Sequence, residues 1–165
     1  MAQPSLLNLA VTRINHLPAA FRRPLITSIF GFAVRFAGTG GVRFERLDEL
    51  CAIVHMPNRR KVRNHIGGIH AAAMALLAES ATGAVFGLNL PAGKLPLLKT
   101  MHVDYLRRAN GDLRAEATLE VGQRVLMQNE ERGEVTVAVR VTDASGEEPI
   151  ACRMIWAWIP EKPKI

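Results

Sequence analysis

Cysteine is scarce: the chain has two, Cys51 and Cys152, both in strand-like runs and without CxxC spacing. That excludes a disulfide framework and a cysteine-based zinc site, and it favours a reducing compartment. Aromatic residues make up only 5%, with a single tyrosine, and no nucleic-acid-binding module is visible, so nucleic acid is not an expected partner. No run reaches roughly eighteen uncharged apolar residues, so no membrane span is expected. A signal peptide needs an unbroken apolar core after its basic residues, but Arg13, His16, Arg22, Arg23 and Arg35 are scattered through the N-terminal stretch. The expected compartment is the cytoplasm. Several catalytic signatures are also missing. Gly93-Lys94 is followed by Leu95 instead of Ser or Thr, and neither HExxH nor GxSxG occurs. P-loop, metalloprotease and serine-hydrolase chemistry are therefore not expected, and His65 and His70 alone are too few to hold a metal.

What is present fits one domain spanning 1–165. At 165 residues and 48% hydrophobic, the chain can bury a sizeable core without staples. Its formal charge of +6 and pI near 10.0 point to an anionic partner, whether a membrane surface or a phosphate-bearing ligand.

Residues 5–15 and 19–36 read as two helical pieces separated by Pro18, forming an N-terminal arm over 1–40; Gly38, Gly40 and Gly41 then read as a loop. The arm's basic-edged apolar faces suit packing on its own domain better than a membrane surface. A core follows over 42–159. Residues 42–56 alternate like one strand, ended by Pro57-Asn58. Arg59, Arg60, Lys61 and Arg63 form a basic loop before a long apolar helix over 68–83, with a short apolar tail beyond it. Four strand signals come next, over 98–108, 113–121, 134–142 and 150–159, with Asn110-Gly111 marking a hairpin after the first. Such strands have one apolar face to cover, and the 68–83 helix is available to cover it. The expected class is α+β, an antiparallel sheet wrapped around one long central helix.

The helix stretch, Asn64 to Gly83, opens with a polar turn and then runs through small and apolar residues broken by His70, Glu79, Ser80 and Thr82. A helix apolar on nearly every face is buried on nearly every face, so Glu79 inside it requires a reason. Nine residues turn a helix through about 900°, leaving His70 and Glu79 on opposite faces about 13 Å apart. A site that uses both the helix start and Glu79 therefore takes them from two chains.

Asn64, His70 six residues later, and Glu79 nine after that, together with HVDYLRRANGDLRAEATL at 102–119, resemble the hotdog-fold thioesterase superfamily, and most closely its phenylacetate-pathway branch and a related uncharacterised subgroup. Ala71 and Ala72 stand where that branch has glycines, and Glu79 where Asp is commoner. The resemblance implies a homodimer, in some members a dimer of dimers, that hydrolyses acyl-CoA or acyl-carrier thioesters at the interface. CoA would enter as part of the substrate, with no separate cofactor and no metal. The thioester carbonyl would sit against the helix start, with the Ala71 N–H as oxyanion donor. Glu79 of the partner chain would act as base or nucleophile, and Asn64 would orient water or carbonyl. His70 reads as a helix-start residue or a participant in catalysis. Arg59, Arg60, Arg63, Arg107 and Arg108 are candidates for the CoA phosphates or for solvated charge. A non-catalytic acyl-binding or regulatory hotdog protein is the competing reading.

Overall fold

A computed structural model describes residues 3–161, so the first two and last four residues of the expected domain lie outside the described structure. Three helices come first: α1 (Leu6–Asn15), α2 (Ala19–Ala33) and α3 (Arg35–Gly40). The glycines expected to form a loop thus lie partly in a helix. A Cβ at Gly40 would lie 2.7 Å from a Leu76 methyl, so any larger residue there displaces that side chain.

The expected single strand over 42–56 is two strands, β1 (Arg43–Leu47) and β2 (Cys51–Met56), paired antiparallel. Asp48 makes the break. Its carboxylate accepts the N–H groups of Leu50 and Cys51, both at 3.0 Å, which folds the chain back at once.

The central helix α4 spans Ala71–Asn89 and continues six residues past Gly83. Glycine normally weakens a helix by about 1 kcal/mol. Here it makes room, since a Cβ at Gly83 would lie 2.8 Å from the Trp156 ring. Asn89, donating to Val85 and Glu49 carbonyls at 2.8 Å each, closes the helix ahead of Pro91. By length and composition α4 would suffice to cross a membrane, but most of it is buried inside the protein. Its residues outside the buried set are the first three alanines and a lengthwise stripe of Glu79, Gly83 and Gly87.

Beyond α4 come β3 (Lys94–Tyr105), β4 (Leu113–Thr118), α5 (Val121–Asn129), β5 (Gly133–Asp143) and β6 (Ile150–Pro160). The sheet order is β1-β2-β4-β5-β6-β3, so its edges are β1 and β3. The Asn110-Gly111 hairpin does not form, because β3 pairs with β6 at one edge while β4 lies between β2 and β5. The turn docks instead on the β5–β6 corner. Asn110 N–H donates to the Asp143 carboxylate at 2.8 Å, and its carbonyl accepts from Ala144 at 3.0 Å. Helix α5 takes the end of the expected 113–121 strand and the stretch after it, because β4 stops at Thr118 and a reciprocal Glu120–Gln123 cap starts the helix.

The inner face of β6 carries Met154, Trp156 and Trp158 into the core, where Phe86 of α4 lies against both tryptophan rings at 5.5 and 6.3 Å. Trp156 Nε1 donates to Thr82 Oγ1 at 3.0 Å and Trp158 Nε1 to the Glu130 carbonyl at 2.8 Å, so neither buried ring leaves its N–H unsatisfied.

Candidate functional site

The approach to α4 is a tight loop organised by Asn64. Its side-chain oxygen accepts the N–H groups of Ile66 and Gly68, both at 3.1 Å, and its backbone N–H donates to the Gly68 carbonyl at 2.8 Å. Gly67 sits in the left-handed region at φ 82°, which only glycine adopts without strain. Asn64 therefore works as a turn residue through its oxygen, while its amide NH₂ takes no part in these bonds.

His70 caps the helix. Its Nδ1 accepts the Ala72 N–H at 3.1 Å, which assigns the ring proton of the neutral form to Nε2, and the ring is exposed. The first-turn carbonyl of Ala71 accepts the Tyr105 hydroxyl at 2.9 Å, pinning the helix start to the end of β3. The Ala71 N–H itself has no acceptor among the described residues. It is a free donor at the positive end of a 19-residue helix.

Glu79 lies two and a half turns further on, half-buried, in a cavity of about 490 Å³ lined by Val34, Phe36, Ala72, Ala75, Leu76 and Met101. It forms no ion pair among the described residues. Burial pushes its carboxyl above the usual range. Ser80 Oγ is itself buried and without a hydrogen-bond partner.

His70 opens into a different cavity, of about 210 Å³, with Lys61, Arg63 and Ala73. The two cavities share Phe36, Ala72 and Leu76 as a common wall. Within one chain the helix start and the carboxylate are thus neighbours that do not meet.

The basic candidates divide by what already holds them. Arg63 donates to the side chain and carbonyl of Asn58, both at 2.9 Å, and braces the loop. Arg107 donates to Asp143 at 2.9 Å. Burial alone would raise the Asp143 carboxyl, but donors from Ser145, Asn110 and Arg107 overcome it and hold the group at about 2. Arg108 reaches the Ile66 carbonyl at 2.7 Å beside a cleft of about 310 Å³. The Arg59 and Arg60 guanidiniums make no hydrogen bond among the described residues.

Sequence reasoning did not mark Val34, Phe36 and Met101 as lining residues, nor the Tyr105 hydroxyl as a helix-start clamp. No motif points to them, because the arm and the edge strand bring them to α4 only in three dimensions.

A model for the family described as a domain of unknown function (DUF4442) matches residues 22–159. A solved structure of a Pseudomonas aeruginosa protein described as a probable thioesterase superposes with TM-score 0.74 at 25% identity, covering 88% of this chain and 97% of that one. A mutant thioesterase from Pseudomonas aeruginosa gives TM-score 0.67 at 18% identity, with 81% and 94% covered. A Haemophilus influenzae thioesterase gives 0.60 at 17%, with 76% and 82% covered. No curated protein matches the chain. The fold is the hotdog fold, shared with these thioesterase-named proteins.

Proposed function

The chain belongs to the DUF4442 family, and from that premise we propose that it hydrolyses acyl thioesters at a site built between two copies. The observation that carries the reading is Glu79, an unpaired carboxylate with a raised pKa in an apolar cavity, on a helix whose first N–H is free. A raised pKa brings a carboxylate's basicity closer to working pH, which is what a general base needs.

In the proposed reaction the thioester carbonyl oxygen rests on the Ala71 N–H of one chain. Glu79 of the other chain takes a proton from water as the water oxygen attacks the carbonyl carbon. The C=O electron pair moves onto the oxygen, where the helix-start donor contributes about 2.7–4 kcal/mol of transition-state stabilisation. Collapse breaks the C–S bond, and the leaving thiolate takes the proton back from Glu79. Free acid and thiol are the products. Arg60, and Arg59 whose guanidinium lies over Gly41, have no hydrogen-bond partner among the described residues and suit the phosphates of a CoA carrier.

The second chain is proposed to join along β3. None of the twelve residues of this edge strand is buried, and Met101 from it lines the Glu79 cavity. A long, open edge strand is a ready pairing surface.

Hydrolysis of a graded panel of acyl-CoAs tests the proposal. Glu79→Gln is expected to lower kcat by about 10²–10⁴-fold on the best substrate with the fold intact. Equal rates in the two proteins would remove Glu79 from catalysis. One observation favours a second reading, a binding protein without turnover: the Ala72 methyl projects into both cavities where the related branch has glycine. Saturable acyl-CoA binding with no hydrolysis of any panel member would select it.

A further inference from the structure

Helix α2 docks through one side only. Ile26 is buried, Phe30 packs on Phe44 at 4.7 Å, and Thr27 Oγ1 accepts the Phe44 N–H at 2.9 Å. On another side, Phe21, Leu25 and Ile29 recur at four-residue intervals and Phe32 follows three later, so they form one continuous stripe. They are 64%, 42%, 40% and 82% exposed. Scattered apolar residues on a surface need no explanation, but two projecting phenylalanines in line with Leu and Ile do.

The arm itself carries charge of one sign. Residues 1–44 contain no Asp or Glu but include Arg13, Arg22, Arg23, Arg35 and Arg43, while the rest of the chain sets sixteen basic residues against fifteen acidic ones. None of these five arginines is ion-paired among the described residues. Four of these arginines, Arg13, Arg22, Arg23 and Arg35, lie in the arm that carries the exposed stripe, against a net charge of +6 for the whole chain.

We infer that the α1–α3 arm docks on the surface of an anionic lipid bilayer, with Phe21, Leu25, Ile29 and Phe32 entering the headgroup boundary and the arginines on the lipid phosphates. Apolar insertion or basic attraction alone gives marginal binding, and stable attachment takes both signals. A second copy fits the stripe less well, because a two-fold contact would lay arm on arm, arginine against arginine, with no carboxylate to compensate. The chemistry at Glu79 is not needed for this docking. Val34 and Phe36 of the arm line the Glu79 cavity, so a docked arm would bring that cavity next to the acyl phase.

Co-sedimentation of the full chain with vesicles tests this, using phosphatidylcholine alone and phosphatidylcholine mixed with phosphatidylglycerol. Binding is expected to the mixed vesicles and to fall steeply as salt is raised. The double variant Phe21→Ser, Phe32→Ser is expected to bind them more than about tenfold more weakly. Arg23→Glu with Arg35→Glu is expected to lose a similar amount while retaining both phenylalanines. Exposed positions leave the melting temperature of both variants near that of the parent, which thermal melts check. No binding of the parent to mixed vesicles, or unchanged binding by the phenylalanine variant, overturns the inference. A fall in oligomeric state of the phenylalanine variant on sedimentation also overturns it, by making the stripe a subunit contact.

Discussion

Glu79 holds a carboxyl group where charge is disfavoured, and that has a consequence for stability separate from catalysis. Because burial raises its pKa above the ordinary 4.5, the folded chain holds this proton more tightly than the unfolded chain. Stability from this group is therefore complete at low pH and declines as pH rises from about 4.5 through the raised value. Glu79→Gln removes the decline. The variant is expected to melt at the same or a higher temperature than the parent at pH 7, with the difference vanishing below about pH 4, as melts across a pH series would show. A lower melting temperature at neutral pH would reveal a charged partner for Glu79, because breaking such a pair destabilises. The spacing of Asn64, His70 and Glu79 was readable from the sequence, as was the oddity of an acid inside an apolar helix. The occupation of the Asn64 side-chain oxygen by its own loop was not, because any Asn before a Gly-Gly pair reads equally as cap, turn or ligand. Nor could sequence reveal that Arg107 faces Asp143, thirty-six residues away.

At the scale of elements, the regular pieces were legible where a single period ran long enough. The alternation of β5 and β6 and the alanine-rich face of α4 are examples. The misses arose where one side chain or one distant contact outweighed the period. The Asp48 carboxylate split one apparent strand into β1 and β2. Trp156 over Gly83 let α4 run on through a residue that usually ends helices. Asn110-Gly111, a strong local hairpin signal, was overruled because its two flanking strands pair with other partners. The basic loop yields a prediction of the same scale. Arg63 braces Asn58, so its removal would disturb the loop itself; Arg59 and Arg60 are the informative pair. Arg59→Ala with Arg60→Ala is expected to raise KM for an acyl-CoA by up to about tenfold with kcat nearly unchanged, as steady-state kinetics would show. Unchanged KM would place the loop outside the substrate site.

For the whole molecule, one chain leaves three features open. Edge strand β3 has no buried residue, α4 leaves a stripe of Glu79, Gly83 and Gly87 outside its buried set, and the helix-start cavity and the Glu79 cavity adjoin without merging. A two-fold partner along β3 would cover the strand and set the helix start of one chain near the carboxylate of the other. Sedimentation is expected to give a dimer at micromolar concentration, and a stable monomer there would exclude the composite site. Dimerisation alone does not establish shared sites, but subunit mixing does. Ala71→Pro deletes only the free N–H, since proline is tolerated at the first helical position and His70 before it already has the extended backbone that proline requires, φ −64° and ψ 144°. Paired with itself, this chain has two sites without the donor; Glu79→Gln paired with itself has two sites without the base. In the mixed dimer one site carries both defects and the other carries none. Random exchange makes about half the dimers mixed, so equimolar mixing of the two inactive proteins is expected to restore about a quarter of the parent's kcat. If each site belonged to a single chain, every site in the mixture would still carry one defect, and mixing would restore nothing.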